Sequence, residues 1–280
     1  MIILPVHAIL RFGSAQMQNR FICDIGDFGK YGLLRMLTGA SGKDNCITLS
    51  LGIVWYLASA DKAAKDGKKT RYLYDVGHRL RSCDPELFDS LREIAICSER
   101  SIACIRDSRL FPEGTAYFEE ILPVPENRKS GKHSSESREI WVQRALASTR
   151  GADIVYLDPD NGLMPLGMPL SRKESVKYAS LEEIARFCAR GSSAVLYHHL
   201  SRRVPAAVQI DALFRRLHEY RIEGVKTCLL RYHRGGARVF IILAMPRHRD
   251  ILSRRARSMV ERTPWGRHFT LVEDGQILCA

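Results

Sequence analysis

Two short β-rich runs, Ala-Asp-Ile-Val-Tyr-Leu at 152–157 and Ser-Ser-Ala-Val-Leu-Tyr at 192–197, each stop abruptly at polar residues, and a segment with helical spacing at 180–189 lies between them. Apolar strands alternating with helices point to βαβ units, because parallel neighbours need a crossover long enough to hold a helix. Residues 152–157 and 192–197 are therefore expected to be adjacent parallel strands. Further helices are expected at 28–37, from Asp84-Pro85 through Leu87, Leu91 and Ile94, and at 140–149 and 205–220. Residues 46–57 and 101–105 read as strands, and 225–231 with 239–244 as a hairpin around Arg234-Gly235-Gly236. Residues 123–137 are polar and turn-rich, as a mobile loop would be, and 59–69 form a lysine-rich loop. The expected fold class is α/β: a Rossmann-like, mainly parallel sheet with helices on both faces and a C-terminal antiparallel hairpin.

In an open sheet of this kind, ligands bind outside the carboxyl ends of the strands. The first run ends in Asp158-Pro159-Asp160-Asn161-Gly162, which puts two acids and an amide at such an end. Pro159 stiffens the bend and Gly162 permits it, so the side chains and carbonyls there would hold fixed directions. A plain turn is the alternative, since these are also turn residues. The second run ends at His198-His199, where a histidine could act as base, metal ligand or phosphate contact, or simply be hydrogen-bonded. A third place is Asp24-Ile-Gly-Asp-Phe-Gly-Lys-Tyr-Gly32, with three glycines at intervals of three. Its amides and Lys30 could receive an anion at a helix start. Equally, it could be an amphipathic helix capped by Asp27.

Other chemistries are excluded by what is missing. The chain has no Gly-x-Gly, no Gly-Lys-Ser/Thr, no His-Glu-x-x-His, no Gly-x-Ser-x-Gly and no Glu-x-Lys. Dinucleotide fingerprints, P-loops, zincins and nucleophile elbows are thus unsupported. The 280 residues favour one domain, 17–280, with 1–16 as a dispensable extension before Met17. Residues 1–10 are apolar but lack a basic flank and contain Pro5 and His7, so they make a poor signal peptide. No apolar run reaches the roughly 20 residues of a membrane helix. The eight cysteines contain no Cys-x-x-Cys pair and read as reduced thiols of a cytoplasmic protein.

Charge is unevenly placed. The net charge is +12, and residues 186–268 hold 18 Lys and Arg against 5 Asp and Glu. Clustered cations gain affinity for polyanions by displacing counterions from phosphates, so nucleic acid is the expected partner. Arg202, Arg203, Arg254, Arg255 and Arg257 are the candidate contacts. Solvated helix surface in an arginine-rich chain is the alternative reading.

Taken together, Gly26-Asp27-Phe28-Gly29-Lys30-Tyr31, Asp158-Pro159 and the closing hairpin resemble the class I S-adenosylmethionine-dependent methyltransferases. They are nearest to the bacterial ribosomal-RNA adenine methyltransferases with an Asn-His-Ala-Asp-Val-Leu-Lys-His opening. That family ends a central strand in Asp-Pro-Pro-Tyr, which holds the target amino group. Here Asp160 and Asn161 stand in place of the second Pro and the aromatic, and Leu49-Ser-Leu-Gly52 is the nearest counterpart of the cofactor's glycine-rich loop. The resemblance covers residues 19–38 and 139–245. It implies S-adenosylmethionine as cofactor near Asp24, Asp27, Lys30 and Tyr31, with Asp158 and the Pro159 carbonyl orienting the accepting group. The Gly26–Gly32 and Asp158–Gly162 strings are also similar to those of a further group of bacterial proteins, which implies no activity. Two other readings stay open: a metal-dependent nuclease or hydrolase, with Asp158, Asp160 and His198 or His199 on a divalent cation, and a catalytically inactive nucleic-acid-binding protein.

Overall fold

The computed structural model describes residues 22–41, 47–58, 69–75, 77–96, 100–125, 131–273 and 276–278. The expected extension at 1–16 lies outside them, as do Cys46, Cys97 and Cys279. In chain order the elements are α1 (Ile25–Thr38), β1 (Leu51–Trp55), α2 (Pro85–Ile96), α3 (Ile102–Asp107), β2 (Ala116–Phe118), α4 (Gly131–Ser148) and β3 (Ile154–Asp158). Then follow β4 (Gly162–Leu163), β5 (Tyr178–Ala179), α5 (Leu181–Ala189), β6 (Ser193–His199), α6 (Ala206–Tyr220), β7 (Lys226–Tyr232), β8 (Arg238–Ala244), α7 (Arg249–Glu261), β9 (Phe269–Glu273) and β10 (Gln276–Leu278).

Eight strands form one sheet in the order β10-β9-β7-β8-β6-β3-β1-β2, while β4 and β5 pair separately. β2, β1, β3 and β6 are mutually parallel, and β6 joins β3 with Ile154 opposite Ser193 and Leu157 opposite Leu196, the adjacency expected from their spacing. The C-terminal hairpin β7–β8 is also found, with β8 antiparallel to both β6 and β7. β9 and β10 extend it by two further antiparallel pairings. The fold is thus α/β and Rossmann-like. No helix among the described residues is long and apolar enough to cross a membrane.

Alternation along the strands sorts side chains between two cores. Ile154, Tyr156, Val195, Cys228, Leu230, Phe240 and Ile242 pack beneath α1, α2, α3 and α7. Val155, Leu157, Ala194, Leu196, Val239 and Ile241 pack beneath α4, α5 and α6. Cys23, Cys188 and Cys228 are buried free thiols, and Cys83 and Cys104 are half-buried ones.

Three local expectations are corrected. Residues 101–105 belong to a helix, because Ser101 caps it by accepting the Cys104 N–H and a four-residue apolar run carries no period of its own. The expected loop at 123–137 is helix from Gly131 onward, part of the helix whose buried face carries Trp141, Val142 and Ala145. Residues 126–130 lie outside the described set. His198 and His199 are the last residues of β6, not residues beyond its end.

Candidate functional site

The chain reverses direction across the sheet between β1 and β3: β2 follows β1 on one side, and β3 lies on the other. In open α/β sheets the crevice at such a reversal is the usual ligand site. Trp55 and Asp158, paired across β1 and β3, end these strands. Asp158 shares the parity of Ile154 and Tyr156, so its carboxylate faces α1.

There it meets the opening motif. Lys30 Nζ lies 2.7 Å from Asp158 Oδ2 and 3.0 Å from Asp27 Oδ1. The Tyr156 hydroxyl donates to Asp158 Oδ1 at 2.9 Å. Asp27 Oδ2 accepts the Cys23 N–H at 3.1 Å, and Asp24 Oδ1 accepts the Asp27 N–H at 2.9 Å. Asp24, not Asp27, is therefore the cap of α1. Asp27 lies in the first turn, three residues past the cap, and its carboxylate serves Lys30 and the Cys23 N–H instead. Two strings 128 residues apart in sequence thus form one network.

Burial decides the protonation of this network. Burial pushes the Asp27 carboxyl up to about 6, partly opposed by Lys30. Lys30 feels the same burial downward, but the charges of Asp158 and Asp27 outweigh it and raise its pKa. The ammonium therefore stays charged. Tyr31 and Tyr156 are raised well above a phenol's usual value, first by burial and then by the neighbouring carboxylates. The Tyr31 hydroxyl is buried and makes no hydrogen bond among the described residues.

The three glycines of the motif are packing positions. A Cβ on Gly26 would lie 1.8 Å from Arg238 Nη1, one on Gly29 2.5 Å from the Tyr232 ring, and one on Gly32 2.2 Å from Trp265. One face of α1 thus lies against the antiparallel half of the sheet. The amide cradle weighed from the sequence is not what the glycines provide.

Period two also separates the histidines. His198 points to the α5–α6 side, where its Nδ1 accepts the Leu163 N–H at 3.0 Å. Burial, then His199 and Arg216, lowers its pKa to about 4, so it is neutral. A Cβ on Gly162 (φ +106°) would sit 2.5 Å from the His198 Cα, so glycine is required there for close approach and for conformation alike. His199 faces the α1 side, exposed, with Nδ1 3.3 Å from the Tyr197 hydroxyl. Asn161 is tied by its backbone, its N–H to the Lys177 carbonyl and its carbonyl to the His199 N–H. Pro159 is buried and Asp160 exposed. Among the described residues no group of three or more His, Cys, Asp or Glu side chains could hold a metal ion. The structure does not bring Asp158, Asp160 and His198 or His199 together as a ligand set.

The candidate arginines divide. Arg202 and Arg203 are exposed just beyond β6, and Arg202 acts electrostatically on His199. Arg254 is exposed on α7. Arg255 donates to the Leu37 carbonyl at 2.8 Å, at the far end of α1 from Asp24. Arg257 pairs with Glu273 and Glu261.

The chain matches no protein-family profile and no curated protein sequence. What the site can do rests on its own geometry. Tyr156, Tyr197 and Arg238 were not singled out from the sequence. Counting back by two from Asp158 and His199 would have found the tyrosines, whereas Arg238 needed the pairing of β6 with β8.

Proposed function

We propose that this protein is a methyltransferase-like enzyme acting on amino groups of nucleic acid, with its site at the carboxyl ends of β1 and β3. One observation carries the reading: the two strings behind the family resemblance, Asp27…Lys30 and Asp158-Pro159, meet through a 2.7 Å ion pair at the sheet's reversal point. The strand order adds support, because an antiparallel β8 between β6 and β7 closes the sheet as the resemblance implies. The donor set also suits the cationic part of S-adenosylmethionine. Asp27 and Asp158 hold Lys30 between them, Asp24 lies beside Asp27, and the Tyr31 hydroxyl, without a hydrogen-bond partner among the described residues, feels all three acids. That cofactor would supply the methyl group.

The chain's own residues bind and orient. Lys30 and Tyr156 each hold one oxygen of Asp158, which fixes the carboxylate plane. Each oxygen keeps a further lone pair to accept an amino N–H, and the Pro159 carbonyl supplies a second acceptor. Two acceptors on one –NH2 aim its nitrogen lone pair away from them, toward the methyl donor. Burial keeps both hydrogen bonds strong.

Calorimetry with S-adenosylmethionine, alongside labelled-methyl transfer to RNA and DNA, tests this. Wild type should bind and transfer, Asp158→Ala should lose transfer, and Asp160→Asn should keep cofactor binding. A wild type that binds manganese through Asp160 and never binds S-adenosylmethionine would instead make the protein a metal-dependent hydrolase.

A further inference from the structure

Arg238 opens β8 and pairs with His199 of β6, so both side chains stand on the α1 face beside the Asp158 network. The guanidinium is half-buried, lies 5.8 Å from the centre of the Tyr197 ring, and makes no hydrogen bond or ion pair among the described residues. A guanidinium beside an aromatic ring, with no anion paired to it, keeps its terminal N–H donors unengaged, while its Nε–H is buried without a partner. Two glycines make the space that the guanidinium occupies. Gly26 lacks the Cβ that would strike it, and at Gly236 a Cβ would fall 3.2 Å from Arg238 Nη2 and 3.8 Å from His199 Cε1. The first turn of the 14-residue α1 beside it carries the partial positive charge of a helix start. Asp24 faces the same niche, but its Oδ1 is engaged as the cap. Arg202 and Arg238 both act on the exposed His199, and Tyr197 feels Arg238 as well as Lys30 and Asp158. A basic rim thus borders an acidic pit. A polyanion could not approach three carboxylates unless the rim met its phosphates.

We propose that Arg238, with Arg202 and His199, binds a backbone phosphate of the nucleic-acid strand and so positions the nucleotide whose base reaches Asp158. The last clause rests on the function proposed above; the phosphate site does not. Arg238 and His199 are positioning residues, since they touch the backbone and not the reacting amino group.

Fluorescence anisotropy with a labelled 12-nucleotide single-stranded RNA, titrated with salt and with inorganic phosphate as competitor, is the test. Arg238→Gln and Arg202→Gln should each weaken binding by about tenfold, the loss expected for a charge-assisted contact. Each should also flatten the logarithmic salt slope by about 0.7, one phosphate's share on a single strand. Arg238→Lys should recover part of the affinity, and Arg172→Gln, at an exposed arginine paired with Glu174, should change neither quantity. Melting curves confirm that the variants fold. Unchanged affinity and slope in Arg238→Gln, an equal loss in Arg172→Gln, or no RNA binding by wild type would each overturn the proposal. S-adenosylmethionine calorimetry on the same samples keeps the two ideas apart. RNA binding that depends on Arg238 without cofactor binding ends the methyltransferase reading alone; cofactor binding with indifference to Arg238 ends the phosphate site alone.

Discussion

Lys30 lies between two acids in a place where little water reaches: its side chain is 12% exposed and that of Asp158 13%. Bringing these charges out of water costs free energy that their mutual attraction offsets only while all partners are present. Removing the cation leaves Asp27 and Asp158 facing each other unpaired. Lys30→Met is therefore expected to lower unfolding stability by about 3–5 kcal/mol, the usual cost of breaking a buried pair from one side. Urea denaturation measures it. A loss under about 1 kcal/mol would mean that the ion pair behaves as a surface contact. The neighbouring Gly29 is constrained differently. Alanine there would favour the helix by up to about 1 kcal/mol, but its Cβ would fall 2.5 Å from the Tyr232 ring, and overpacking typically costs about 1–3 kcal/mol. Close packing wins over propensity at that position.

Among the elements, α7 shows how a basic segment can be structural. Its apolar face (Leu252, Ala256, Met259 and Val260) is buried. Arg255 reaches across to the carbonyl of Leu37 at the end of α1, where the helix has no partner of its own to offer. A Cβ on Gly39, the left-handed cap of α1, would lie 2.6 Å from the same guanidinium. Replacing Arg254, Arg255 and Arg257 together is thus expected to reduce stability more than nucleic-acid affinity. Arg255→Ala alone should account for most of the loss, about 1–3 kcal/mol for a carbonyl left unpaired, and Arg254→Ala for little. Thermal melts of the single and triple variants check this. An Arg254→Ala melt as low as that of Arg255→Ala would refute the assignment.

For the whole molecule, acid should act through groups whose pKa values change on folding. His198 and His268 are both lowered from 6.5 to about 4, burial being the first cause, with His199 and Arg216 adding at His198 and Arg234 and Arg267 at His268. Each resists a proton that the unfolded chain accepts, so the stability each contributes is fully present above pH 6.5 and is lost as pH falls toward 4. Asp27, raised from 3.8 to about 6, acts in the opposite sense. Its folded form holds a proton that the unfolded chain releases, so across about pH 4 to 6 it favours folding more as pH falls. These two histidines, with His199, His233 and His248 lowered in the same direction, outweigh one carboxyl and should leave net destabilisation as pH falls from 6.5 to 4. The double variant His198→Asn/His268→Asn should flatten that fall in melting temperature, and Asp27→Asn should steepen it. A double variant with the wild-type profile would remove His198 and His268 as the cause.

The strands at 152–157 and 192–197, their adjacency, the helices from 180 and 205 and the closing hairpin were all legible in the chain, because apolar periodicity and capping residues act over a few positions. Ser180 with Glu183 forms the reciprocal cap that such a start requires. The helix at 102–107 was misread because four apolar residues fit either period. The chain also displayed Asp27, Lys30 and Asp158 as chemically unusual, but no local rule joins residues 128 positions apart. Nor could it show that His198 and His199 serve opposite faces until β6 was known to run through both. The same holds for Arg238, an ordinary arginine in an arginine-rich stretch until β8 paired with β6 and brought it beside His199. Local sequence encodes periods and caps; which charges share a desolvated space depends on strand order and parity, and only the assembled sheet decides those.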